Sequence, residues 1–175
     1  MKFSDIPRFI TEGSWECDYT IPMLINFISE LELNEGLEMN PDFQRGHVWT
    51  EEQQVKYLEF FLRGGKTARA IYLNINDWQT DPVRPEEKIA VCVDGLQRYT
   101  AFKRFYNNEI KVFGHYYNEF TDNPRAYQWV KLNINNLRTR KEVLEWYIQF
   151  NAGGTIHSKE EIDRVKELLK QEIDK

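Results

Sequence analysis

The stretch VCVDGLQRYTAF, residues 91–102, constrains the fold of this chain more than any other. It opens as a continuous apolar run, the pattern of a strand covered on both faces. It closes as an amphipathic helix within LQRYTAFKRFYNNE, with Leu96, Tyr99, Phe102, Phe105 and Tyr106 on the inward face. Asp94-Gly95 is the joint between the two. A strand that turns this tightly into a helix leaves backbone N–H groups at the helix start, whose partial positive charge makes an anion site. Arg98, one turn further on, adds a guanidinium suited to phosphate or carboxylate. Asp94 stands where a carboxylate would hold a metal ion or a water beside that anion. Gln97 can both donate and accept, as a group that orients a nucleophile must. A plainer account fits the same letters, with Asp94 as the helix N-cap and Arg98 as a solvated charge. Local chemistry leaves both open.

The rest of the chain reads as helices and strands in alternation. Thr20 is the expected N-cap of a helix with proline in its first turn and Leu24, Phe27, Ile28 and Leu31 on one face. A short extended piece is expected around Leu37–Met39. Thr50 and Gln53 form a capping box ahead of a stripe of Val55, Leu58, Phe61 and Leu62, and Gly64-Gly65 ends that helix. ARAIYLNI, IAVCVD and WVKLNI read as strands, and DWQTDPVRPEEK as a polar loop. Two more capping boxes, Thr139 with Glu142 and Ser158 with Glu161, start helices through Phe150 and about Ile173. The expectation is one α+β domain over residues 1–175, a small mixed sheet packed with helices and ending in helix.

Composition narrows the function classes. A hydrophobic share of 41% with 29% charged residues belongs to a globular protein, and the apolar runs are too short for a membrane span. The N-terminus MKFSDIPRFI lacks the apolar stretch of a signal peptide, so a cytoplasmic location is expected. Cys17 and Cys92 form neither a disulfide framework nor a zinc spacing, and His47, His115 and His157 lie far apart. Residues 1–40 hold two basic and eight acidic side chains, while residues 41–175 sum to +1. That balance does not demand a nucleic-acid partner, although it leaves room for a local basic pocket.

Two further stretches bear on the corner. NPDFQRGHVWT repeats its Gln-Arg pair at Gln44-Arg45, beside a glycine, before a capped helix, and anchored by Phe43 and Trp49. FNAGGT offers Asn151 with Gly153 and Gly154, whose bare backbone permits close approach of a ligand. Each stretch alone also fits a structural role: an Arg45 ion pair, a Trp49 in the core, or a helix end followed by a turn.

In order, NPDFQRGHVW, a helix, IYLN, VDGLQRYTAF and FNAGG resemble the N-terminal domain of GmrSD-type modification-dependent restriction enzymes, within the ParB/sulfiredoxin-like superfamily. The resemblance runs from about Tyr19 to Val165. It implies a ParB/sulfiredoxin-like fold that binds a nucleoside triphosphate of unspecified base with Mg2+ and hydrolyses it in support of DNA restriction. On this chain the implied catalytic residues are Asp94, Gln97 and Arg98, with Asp94 on the metal. The implied nucleotide contacts are Gln44, Arg45, Gly95, Arg98, Asn151, Gly153 and Gly154. The family's usual glutamine is replaced by Leu96, which implies slow turnover if that amide assists hydrolysis. Members often continue into a His-Asn-His nuclease domain, and no motif of that kind occurs here. The implied partners are therefore DNA or a restriction-system protein such as a nuclease. Two alternatives follow. One is a non-catalytic regulator, decoy or inhibitor, bacterial or phage-encoded, acting through a protein partner. The other is weak DNA binding or nicking. The superfamily's reductase chemistry is excluded, because the corner has no cysteine and Cys92 lies inside an apolar strand.

Overall fold

A computed structural model describes residues 2, 6, 15–79, 87–125, 128–152 and 159–173. Four strands form one mixed sheet: β1 (Trp15–Tyr19), β2 (Ala70–Ile75), β3 (Ala90–Asp94) and β4 (Val130–Asn135). Their order is β1-β4-β2-β3, with β2 and β4 parallel and the other two pairs antiparallel. Among the described residues five α-helices pack around it: α1 (Ile21–Asn34), α2 (Glu51–Leu62), α3 (Leu96–Tyr106), α4 (Arg140–Ala152) and α5 (Lys159–Ile173). The expected α+β class with a helical C-terminus is what the chain adopts. Among the described residues no helix is long and apolar enough to cross a membrane.

Period-two alternation divides the core between the two faces of the sheet. Ile71, Leu73 and Ile75 of β2, with Leu132 and Ile134 of β4, point toward α1, α2 and α3 in the larger apolar cluster. Val91 and Val93 of β3 point the other way, toward Val143, Leu144 and Tyr147 of α4 and Val165 of α5. That division explains the unbroken apolar run of β3, since Ala90 through Val93 are all buried. The buried Asn74 completes the layer by donating to the Leu137 carbonyl (3.1 Å) and accepting from the Leu137 N–H (2.8 Å). It thereby pins the turn that leads into α4.

One sheet edge is covered and the other carries charge. Glu38 bridges the outer edge of β3, donating to the Ala90 carbonyl and accepting from the Cys92 N–H, each at 2.9 Å. At the other edge, β1 carries Glu16 and Asp18, which pair with Lys131 of the adjacent β4, charges that discourage strand addition.

Several local expectations need correction. Thr20 occupies the N-cap position of α1, but its side chain makes no capping hydrogen bond. The helix α3 stops at Tyr106 rather than running to Glu109, because Asn107 caps it and Asn108 turns to φ +60°. Tyr106 is only half-buried. The boxes at Thr50/Gln53 and Thr139/Glu142 form as read, whereas Ser158 lies outside the described residues. The strand β1 and a two-residue hairpin at Val112–His115 were not anticipated.

Candidate functional site

The N-cap of α3 is Gly95 and not Asp94: Gly95 adopts φ +115°, and no side chain caps the helix. A Cβ at Gly95 would come within 2.9 Å of Ile71 Cγ1 and 3.1 Å of Ile71 Cα. Only glycine therefore lets the chain turn directly against the central strand β2. The carboxylate of Asp94, released from capping, accepts from the Arg98 guanidinium one turn into α3. Both side chains are mostly buried, at 28% and 16% exposure. The Arg98 Nε is also buried and has no protein hydrogen-bond partner.

The second Gln-Arg motif lies directly against this corner. Gln97 accepts from the N–H groups of Val48 (2.9 Å) and Trp49 (3.1 Å) and donates to the Gly46 carbonyl (2.6 Å). Gln44 donates from Nε2 to the Cys92 carbonyl at 2.5 Å, prolonging the edge closure begun by Glu38. Each motif thus spends its glutamine on holding the other in place, and Arg45 is left on the exposed surface of the loop between them. The anchors act as expected: Phe43 is buried against Tyr147, with ring centroids 5.1 Å apart, and Trp49 packs on Tyr57 at 5.2 Å.

Three groups that the sequence did not single out complete the frame. The buried Gln54 on α2 donates to the Trp49 carbonyl (3.1 Å), accepts from Arg104 (3.0 Å) and meets His47 Nε2 at 3.1 Å. Arg140 at the start of α4 grips both carboxylate oxygens of Asp42 at 2.7 Å. Arg164 of α5 donates to the carbonyls of Asp42 (2.6 Å) and Gln44 (2.9 Å). The three arginine contacts span from 50 to 122 positions along the chain, so no local spacing announces them.

The end of α4 approaches the same end of the sheet. Tyr72, the β2 partner of Asp94, meets the ring of Phe150 at 4.8 Å, and Asn151 follows at the end of α4. The Asn151 amide donates to the Tyr147 carbonyl at 2.8 Å, within its own helix. Gly153 and Gly154 lie outside the described residues. Leu96 belongs to the core: it is 8% exposed and lies in the larger cluster.

Burial and the neighbouring Asp94 charge push the Cys92 thiol up to about 12, against smaller opposing effects of Gln44 and Arg98. A thiol so placed is inert, as the exclusion of reductase chemistry requires. In a Cys17→Ser variant, an aromatic disulfide reagent should label no thiol in the native protein and one after denaturation. The same shift has a pH consequence. The folded state keeps a proton that the unfolded chain loses above its ordinary pKa of about 8.5. Its contribution to stability is full below that pH and is lost as pH climbs toward 12. Tyr57, raised chiefly by burial, acts in the same direction at higher pH. Denaturation midpoints should therefore fall steadily on the alkaline side, beginning near pH 9.

A family model described as the GmrSD restriction endonuclease, N-terminal domain, matches residues 26–171. The chain belongs to that family. No curated protein and no solved structure matches it. Membership connects this GmrSD-type domain with restriction endonucleases. It also covers every piece of the corner, from the Gln44 loop through Asp94–Arg98 to α5.

Proposed function

We propose that this GmrSD N-terminal-type domain binds a nucleoside triphosphate with Mg2+ at the Asp94–Arg98 corner and hydrolyses it in support of restriction. The observation that carries the reading is Arg98. Its guanidinium stands at the uncapped start of α3, held by one carboxylate, with a buried Nε that has no protein partner. A buried, incompletely satisfied guanidinium is costly unless an anion completes it, and phosphate matches its geometry. A phosphate arriving there would take over Arg98 and free Asp94 to face a cation. One carboxylate plus phosphate oxygens is the usual protein contribution to bound Mg2+, so the residues present fit the ion. Bound Mg2+ would supply charge neutralisation at the phosphates. Gly95 lets backbone approach the anion, and Arg45, exposed on the Gln97-held loop, would add charge at the rim. Gln44 and Gln97 act as positioning residues. Asn151, at the end of α4, would add a further polar contact.

Titration calorimetry with ATP, GTP, CTP and UTP, each with Mg2+, tests the proposal. At least one should bind, and Arg98→Ala should weaken it about 10- to 100-fold, the worth of a charged hydrogen-bonded contact. Asp94→Asn should retain binding but lose its Mg2+ dependence and the turnover. Absence of binding by all four nucleotides would remove the corner from nucleotide chemistry. A regulatory module acting through a protein partner, or a weak DNA binder, would share the corner's geometry. Either class parts from the enzyme at turnover: nucleotide bound but never hydrolysed would move the assignment to the non-catalytic class.

A further inference from the structure

A cavity of about 270 Å³ opens at the far end of α3 from the corner. Ten residues of helix separate Gly95 from Phe105, about 15 Å at the α-helical rise. The cavity's interior is aromatic and aliphatic: Phe105, Phe113, Tyr117 and Phe120, with Ile21 and Leu62. Phe105 already meets Tyr117 at 5.4 Å and Phe120 at 5.9 Å, both edge-on, so this wall is assembled without a ligand. The rim is polar and charge-balanced, with Asp122, Asn123 and Arg125. Both sides of the opening are tied to α2. Gln128 donates to the Leu62 carbonyl (2.8 Å) and accepts from the Arg125 N–H (2.8 Å), and the Phe113 N–H donates to Glu59 (3.3 Å).

Phe113 supplies an independent sign. It sits at φ +53° and is followed by Gly114 at φ +81°, in a hairpin whose Val112 and His115 exchange backbone hydrogen bonds of 2.9 and 3.1 Å. Two positive φ angles make a type I′ turn, for which Asn-Gly is the favoured pair. A bulky aromatic there is strained, and its ring gains little burial in return, being 43% exposed. Local strain that buys no packing is a mark of a functional surface. The neighbouring Phe120 is likewise 42% exposed.

We infer that this cavity is a second binding site, and that it takes a neutral heteroaromatic molecule of one or two fused rings with hydrogen-bond donors and acceptors along one edge. The rings supply edge and face contacts for a flat molecule. A carboxylate, an amide and a guanidinium on one rim offer donors and acceptors together, and their opposed charges disfavour an ion of either sign. The volume lies at the small end of ligand pockets, fitting a ring system without sugar and phosphates. The site is independent of the nucleotide reading, since its probes carry no phosphate.

The intact chain, titrated with adenine, indole and benzoate under saturation-transfer NMR, tests the inference. Adenine should bind about tenfold tighter than indole or benzoate, the difference of one net hydrogen bond. Phe113→Asn should raise Tm by relieving the turn and yet weaken adenine at least about tenfold. Arg125→Gln should weaken adenine while leaving Tm in place. Silence from all three probes, benzoate bound as tightly as adenine, or adenine binding unmoved in Phe113→Asn would overturn the site. Adenine binding abolished by Arg98→Ala and untouched by Phe113→Asn would also overturn it, placing the ring in the corner instead.

Discussion

Replacing Gly95 with alanine should destabilise the protein by about 2–5 kcal/mol and abolish the nucleotide binding proposed for the corner. Two separable costs combine. At φ +115° any L side chain is strained, worth about 1–2 kcal/mol. The added Cβ also meets Ile71 at 2.9 Å (Cγ1) and 3.1 Å (Cα). Relief would have to come from backbone, because Ile71 is fully buried on β2, which is paired to β3 on one side and β4 on the other. Overpacking against such a site adds about 1–3 kcal/mol. Gly36→Ala is the internal control. Gly36 has φ +67° with nothing within 4 Å of its virtual Cβ, so only the strain cost of about 1 kcal/mol applies. Urea denaturation of the two variants separates the terms. Equal losses would mean that the contact with Ile71 relaxes freely, and the corner would then not be built around a missing Cβ.

What could be read from the letters, and what could not, follows from the range of each interaction. The strand–turn–helix of residues 91–106 and the capping boxes at Thr50 and Thr139 are local patterns, and they form where the periodicity puts them. The strand β1 escaped because WECDY alternates with acids outside and only Trp15, Cys17 and Tyr19 turned inward. Its pairing with β4 lies more than 110 residues away, and propensity alone does not reveal an edge strand of that kind. The hairpin at Phe113-Gly114 carries an aromatic where turn chemistry asks for asparagine, so the usual signal is missing. In the site itself, residue types flagged Asp94, Gln97, Arg98, Gln44 and Arg45, but their division of labour needed coordinates. The glutamines are spent on backbone, the carboxylate on Arg98, and Leu96 on the core. Arg140 and Arg164, which tie down the Asp42–Gln44 segment from α4 and α5, are ordinary surface arginines in sequence.

The joint between the two motifs is the other place where one substitution should have a large effect. Gln97→Met keeps side-chain length and volume but removes three hydrogen bonds at once: to the Gly46 carbonyl and from the Val48 and Trp49 N–H groups. Val48 is exposed and its N–H finds water, while Trp49 is half-buried and leaves its donor poorly satisfied. The net loss is about 2 kcal/mol of stability, below the sum for three fully buried bonds. Amide hydrogen exchange should speed at Val48 and Trp49 and stay slow in α3, because the helix keeps its own ladder. The proposed nucleotide affinity should fall at least about tenfold, since Arg45 and the Gly46 backbone lose their fixed place relative to Arg98. Gln97→Glu separates anchoring from bulk. Its carboxylate still accepts from the Val48 and Trp49 N–H groups but presents an oxygen to the Gly46 carbonyl where an N–H belongs. Exchange at Val48 and Trp49 should then remain slow while the Gly46 side of the loop loosens. If Gln97→Met leaves exchange at both amides unchanged, Gln97 does not hold the loop. Its amide would then be available for the nucleotide itself.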